Sequence, residues 1–183
     1  MRLIDISRDN ETTYRLRENE RAIFMMNNRD GKITFELAGH GATAHVFAFY
    51  EGTDAERFAP RIIQRHLASG TVSSSTVRAR LDGSSLLRFR GLVDIAKDAT
   101  GSDARQNCRI LLLSPDATAH AGPELEISTD DVTCSHAASI APPDPDQLYF
   151  LATRGLETDK ATALLADGFF RDARDEMERL SQS

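Results

Sequence analysis

Apolar and polar positions over the first 140 or so residues change in short runs rather than at helical spacing. Leu3-Ile4-Asp5-Ile6, Thr13-Tyr14-Arg15-Leu16 and Ala22-Ile23-Phe24-Met25-Met26 are brief apolar or alternating stretches. Asn27-Asn28-Arg29-Asp30-Gly31 is turn chemistry, with Asp-Gly its strongest part. Ile33-Thr34-Phe35-Glu36-Leu37 alternates cleanly, as a strand with one buried face does. Gly39-His40-Gly41 interrupts the pattern. The run from Ala42 to Tyr50 follows, apolar on both faces from Val46, which fits a strand covered on two sides. Turns are expected at Glu51-Gly52-Thr53-Asp54 and Leu81-Asp82-Gly83-Ser84. Between them, Ile62, Ile63 and Leu67 are compatible with a helical turn, whereas Ser73-Ser74-Ser75-Thr76 suits strand or loop. Leu86 to Ala96 alternates through Phe89, Val93 and Ile95, with Gly91 where a bend or close backbone approach is expected. Ile110 to Leu113 is apolar on both faces and is closed by Ser114-Pro115-Asp116. About ten short strands in series predict a sandwich, a barrel or a solenoid, and no fixed internal repeat chooses among them.

The register changes after Pro142-Pro143-Asp144-Pro145. Asp146 is the expected N-cap of a helix over 147–154, with Gly155 as its stop. Thr158 is the expected cap of a second helix over 159–180. Ala161, Leu165, Gly168, Phe169, Ala173, Met177 and Leu180 share one face of it at helical spacing. That stripe must be buried, either on the chain's own β region or on a second protein. The expected division is a β core over 1–141 and a helical appendage over 142–183.

Candidate chemistry lies in Glu124 to Ile140, ELEISTDDVTCSHAASI. In an extended segment Cys134 and His136 point the same way, with Cα atoms roughly 6.6 Å apart. A soft thiolate and an imidazole on one face suit zinc, iron or an iron–sulfur cluster, but a closed tetrahedral site needs four ligands. Either another molecule supplies the rest, the site is transient, or Cys134 is a buried thiol beside a hydrogen-bonded histidine. Asp130 and Asp131 read as turn or surface residues, and Cys108, ahead of an apolar strand, as core.

The 183 residues are enough for one domain with a real core. A net charge of -6 argues against a nucleic-acid footprint. Two cysteines are too few for a disulfide framework, the opening MRLIDISRDN is too polar for a leader, and no apolar run approaches a membrane span. A reducing cytosol is expected. His40, His45, His66 and His120 are scattered without a nucleophile motif, and no GxxxxGK[ST] occurs, so no enzyme activity is expected and ATP hydrolysis would fall to a partner. Aromatic residues make up 7% of the chain and Trp is absent, which weighs against a polysaccharide-processing solenoid.

The stretch DARQNCRILLLSPDATAHAGPELEISTDDVTCSHAASI, followed by QLYFLATRGLETDKATALLADGFF, resembles the SufB/SufD family of iron–sulfur cluster assembly scaffolds, the SufD branch more closely. Leu37-Ala38-Gly39-His40-Gly41-Ala42, His66, and Phe89-Arg90-Gly91 through Ala96 are similar to the same core, so the likeness runs from about Gly31 to Phe170. The resemblance implies a right-handed parallel β-helix with two C-terminal α-helices. It implies pairing of two β-helix subunits, as a homodimer or with a SufB-like partner, and a transient iron–sulfur cluster at their interface. It also implies docking of a SufC-like ABC ATPase on the C-terminal helices, which makes Leu165, Phe169 and Met177 candidate partner contacts. His136 matches the family histidine at that interface, and Cys134 the adjacent cysteine of the SufD pattern. The SufB branch places its essential cysteine where this chain has Ile127, and an acidic residue where it has Ala137. The long N-terminal region of full-length relatives has no counterpart in these residues.

Overall fold

The alternating runs fold into twelve strands among residues 1–182, which the computed structural model describes. Numbered in chain order, β1 (Arg2–Asp5), β3 (Arg21–Asn27), β5 (Thr43–Gly52), β8 (Val72–Leu81), β10 (Ser102–Leu112) and β12 (Val132–Ala141) form one sheet, paired in that order. The second sheet holds β2 (Thr13–Leu16), β4 (Lys32–Leu37), β7 (Arg61–His66), β9 (Leu86–Ile95) and β11 (Thr118–Ile127), with the short β6 (Arg57–Phe58) beside β9. Every pairing is parallel. Successive strands alternate between the sheets, so the chain winds as a parallel β-solenoid. A solenoid stacks equivalent positions directly above one another, so coils need only matching inward faces and no repeated sequence.

One inward row runs Ala22, Ala44, Ser73, Ala104, Cys134, and the next Phe24, Val46, Ser75, Gln106, His136. The first coils fill the interior with Phe24, Phe35, Met26, Ile33 and Tyr50, all buried. The interior also explains why Ile62 and Ile63 are strand rather than helical turn. In β7, Ile62, Gln64 and His66 are the inward positions, and polar residues at two of them masked the period of two.

Turns that reverse direction carry left-handed residues, Gly31 at φ +86° and Gly83 at φ +61° among them. Gly39 has a different reason to be glycine: a Cβ there would collide with the main chain of Glu18 in the preceding coil. Gly39→Ala is therefore expected to destabilise the fold by about 1–3 kcal/mol, readable as a lower urea midpoint.

Helix α1 spans Pro145–Thr153 and α2 spans Thr158–Ser181. The N-cap of α1 is Asp144, not Asp146: its carboxylate accepts from the Asp146 N–H, and Pro145 takes the first helical position, where a missing N–H costs nothing. The N-cap of α2 is Glu157, one residue before the expected Thr158, and it makes no side-chain cap. Gly155, at φ +85°, does end α1: its N–H donates to the Ala152 carbonyl and that of Leu156 to Leu151, the paired bonds of a Schellman stop.

The second half of α2 packs on the outer face of the first sheet. Phe170 and Ala173 form one cluster with Ile23, Phe47 and Phe49, and Phe169, Met177 and Leu180 lie against it. This answers why β5 is apolar on both faces: one face meets the solenoid interior and the other meets α2. Arginines frame the contact. Arg174 stands over Phe49 and Phe170, and Arg80 stands over Phe170 while pairing with Glu51 at 2.6 Å and Asp167 at 2.8 Å. No described helix is long and apolar enough to cross a membrane.

Candidate functional site

The last coil, β11 and β12, is where the solenoid stops. No further coil among the described residues stacks on β11 and β12, so residues that would be core one coil earlier meet solvent. Leu125, Ile127 and Ile140 are 36%, 41% and 40% exposed, although their rung partners Val93, Ile95 and Ile110 are buried. Solenoids ordinarily finish with a polar capping repeat, because an open end leaves apolar surface in water.

Cys134 and His136 sit on this open face. Strand geometry turns both inward, above Ala104 and Gln106 of β10. Cys134 is half-buried against the cluster of Val93, Ile95, Ala99 and Ala104, whereas His136 is exposed. Burial and then the negative charge of Asp103 push the Cys134 thiol above its ordinary range, opposed only by a hydrogen bond from the Ser135 N–H. The thiol is thus protonated at neutral pH, and a metal would have to displace its proton. Asp130 and Asp131 are exposed at the turn before β12. No group of three or more His, Cys, Asp or Glu among the described residues could hold a metal ion, so the pair is at most half a ligand set within one chain. Ile127, where the SufB pattern has cysteine, lies inward on β11, and Ala137 faces outward on β12. Cys108 is core: it is 1% exposed, and burial raises its thiol to about 12.

Sequence reading gave no role to the polar side chains beneath the open face. His66 is fully buried, with Nδ1 2.7 Å from the Thr71 hydroxyl and Nε2 2.8 Å from the Ser73 hydroxyl. Gln64 donates to Ser73 at 2.6 Å and Thr71 meets Ser102 at 2.8 Å. Gln106, 2% exposed, lies on the rung below His136 with its amide against Gly91, whose missing side chain makes the space. Burial holds His66 neutral, lowering it to about 4. The period-two spacing of Gln64 with His66 and of Ser73 with Ser75 was the available signal for this polar interior.

The helical candidates occupy two environments. Phe169 and Met177 are half-buried against the sheet, with Arg78 and Arg109 over the Phe169 ring. Leu165 lines a cavity of about 460 Å³ between the helices and the last rungs, walled by Arg109, Ser139, Pro142 and Phe169. The apolar surface that remains open is Tyr149, Phe150 and Leu164.

Residues 25–169 match the family described as SUF system FeS cluster assembly, SufBD core domain. The chain belongs to the SufBD family. Over 162 residues it is 32% identical to the iron–sulfur cluster assembly protein SufD of Bacillus subtilis (strain 168), covering 86% of this chain and 37% of that protein. It is 36% identical over 104 residues to a SufBD-family iron–sulfur cluster assembly protein of Mycobacterium leprae (strain TN), covering 57% and 12%. It is 36% identical over 110 residues to protein ABCI7, chloroplastic, of Arabidopsis thaliana, covering 60% and 22%. The chain therefore spans little more than a third, or less, of these relatives. What it shares with them is the SufBD core, and the β-solenoid is that core's fold. Iron–sulfur cluster assembly is what the description of the family and the names of the first two of these relatives state.

Proposed function

We propose that this chain is a SufD-like scaffold in iron–sulfur cluster assembly, a non-enzymatic subunit that pairs through its solenoid and docks an ABC-type ATPase on its C-terminal helices. The observation that supports it is the uncapped last coil, which carries Cys134 and His136 among exposed Leu125, Ile127 and Ile140. A partner with a similar open end would bury that apolar rim. A twofold pair would contribute two thiols and two imidazoles, the four donors a single chain lacks. Two imidazoles can replace two thiolates on a [2Fe–2S] centre, and such a cluster is cargo in transit rather than a resident group. The proposed ATPase contact uses Leu165 with the accessible flanks of Phe169 and Met177, extended by Tyr149, Phe150 and Leu164. The proposed setting is the reducing cytoplasm, where a free thiol stays available.

Anaerobic reconstitution with ferrous iron and sulfide tests the cluster. The expected outcome is a visible absorption band that is lost in Cys134→Ala and His136→Ala while both variants keep the wild-type circular dichroism. A band retained in both variants would show that the cluster, if any, sits elsewhere. A second reading is an adaptor dimer that carries no cluster, favoured by the packing of the half-buried Cys134 side chain against the apolar cluster of Val93, Ile95, Ala99 and Ala104. Metal analysis of anaerobically purified protein separates the two, since the adaptor predicts no iron beside an intact pair. For docking, Leu164→Asp is expected to abolish co-purification with a SufC-like ATPase without changing the melting temperature, because the side chain is exposed.

A further inference from the structure

The outer face of the second sheet carries two charged columns that run from coil to coil, and they follow opposite rules. In one, the register stacks Arg15, Glu36, Arg65 and Asp94 on the successive strands β2, β4, β7 and β9. Signs alternate and the side chains meet: Arg65 lies 2.8 Å from Asp94 and 3.5 Å from Glu36, and Arg15 lies 3.8 Å from Glu36. The alternation holds until Glu126 follows Asp94 on the last coil. Four residues earlier along the same strands, the register stacks Lys32, Arg61 and Arg90. Every member of this second column is positive. Rungs lie about 4.8 Å apart, so like charges stand at close range on a ladder whose neighbouring column sets opposite ones together. Arg88 widens the basic surface, with His120 beside it on β11.

Lys32, Arg88 and Arg90 are exposed and Arg61 is half-buried. Among the described residues, the one ion pair of the row joins Arg61 to Glu124 at 3.9 Å, with the two side chains 42% and 45% exposed, which neutralises little. Asp30, at the turn ahead of β4, accepts from the N–H groups of Gly31 and Ala59. Between the two columns lie Thr34, Ile63 and Leu92, outward yet buried. Long side chains in the flanking columns are the cover that the register offers them. Cover accounts for the length of the basic side chains. It does not account for three like charges in line, because the alternating column flanks the same residues without that repulsion. A locally unfavourable arrangement beside a favourable one is the mark of a surface kept for something other than folding.

We infer that this row is a docking surface for an acidic α-helix of a partner protein, laid across the strands so that its carboxylates meet Lys32, Arg61 and Arg90 in turn. A helix sets carboxylates at i, i+4 and i+7 about 5–6 Å apart along one face, close to the rung spacing. A guanidinium fork takes a carboxylate through two parallel hydrogen bonds. A helix is also negative along one side only. A nucleic acid or an anionic lipid surface is negative wherever it touches, and would meet Glu36, Asp94 and Glu124 on the same face. No Phe, Tyr or Trp stands outward on β4, β7, β9 or β11 to stack a base. The row lies on the second sheet, whereas α2 covers the first, so this surface is separate from the C-terminal helices and from Cys134.

Fluorescence anisotropy of a labelled alanine-based helix of about 24 residues, with glutamates at i, i+4 and i+7 spacing, tests this on the full chain. The peptide is expected to bind, and to bind more weakly as salt rises from about 50 to about 300 mM. Lys32→Glu and Arg90→Glu are each expected to weaken binding about tenfold, and Arg171→Glu, the same charge change at an exposed position of α2, less than about twofold. Both row variants should unfold at the wild-type urea midpoint or above it, because each new carboxylate faces Arg61 across a rung. A lower midpoint in both variants would mean that the row serves the fold, and overturns the inference. No binding at peptide concentrations up to about 1 mM overturns it too, as does an equal loss in Arg171→Glu. Tighter binding of a single-stranded oligonucleotide or of phosphatidylserine vesicles, lost in the same two row variants, also overturns it and gives the row to a polyanion.

Discussion

Phe170→Ala is expected to lower stability by about 3–5 kcal/mol and to loosen the C-terminal helices from the solenoid. The ring is 2% exposed and lies 5.4 Å from that of Phe49, with the guanidinium groups of Arg80 and Arg174 over its faces. Truncation would leave a void in the apolar cluster that joins α2 to the sheet, and would strip Arg80 of the Phe170 ring while leaving Arg174 only that of Phe49. Denaturant unfolding reads the loss, and limited proteolysis in the Pro142–Pro145 linker reads the detachment. Tyr149→Ala, at a ring 74% exposed, is the contrast and should change stability by no more than about 0.5 kcal/mol. A Phe170→Ala protein as stable as wild type would mean that the helices are held by their arginine–carboxylate pairs instead. Such pairs, Arg80 with Asp167 for one, involve exposed carboxylates and are worth little individually.

Acid should weaken the solenoid through His66. The unfolded chain takes up a proton on this histidine near 6.5, whereas the folded chain resists until about 4, because charging it means solvating an imidazolium among Thr71, Ser73 and Gln64. Between those values the unfolded state binds more protons, so stability falls as pH falls from about 6.5 to about 4, and the slope from this group vanishes below. The gap corresponds to roughly 3 kcal/mol at its full extent. His66→Gln keeps the hydrogen-bonding capacity without the titration. It should be less stable than wild type at neutral pH by an amount set by packing alone, and should flatten the acid limb of a stability–pH curve. An acid limb of unchanged slope in the variant would assign the proton uptake to carboxylates instead.

Much of the fold could be read from residue order because a solenoid strand carries its own signal. Ile33 to Leu37 and Leu86 to Ile95 alternate, and each bounding turn has its Asp-Gly or Gly-rich chemistry, so strand positions came from local pattern alone. β7 escaped because Gln64 and His66 occupy inward positions that a sequence reader takes for surface. Gln64, His66 and Ser73 satisfy much of each other's hydrogen bonding only once the chain has turned from β7 into β8 and set the two strands face to face. Helix caps shifted by one or two residues because Asp144 and Asp146 are both credible caps, and only Pro145 between them decides. The candidate pair Cys134 and His136 was visible as a spacing. That it lies on an uncapped end was not, since openness is a property of the coil that fails to follow.

Residue order by itself determined the strand series, the break at Pro142–Pro145, the helix stop at Gly155 and the family to which the chain belongs, because each is written in neighbouring residues or in a long enough run of matched ones. Tertiary structure alone decided which apolar stripe is spent internally and which surface stays open. Phe169 and Met177 are half consumed by Phe47, Phe49 and their arginines, while Leu125, Ile127 and Ile140 are left bare. Burial depends on what stacks on a residue from a distant part of the chain, and in a solenoid that neighbour is a whole coil away.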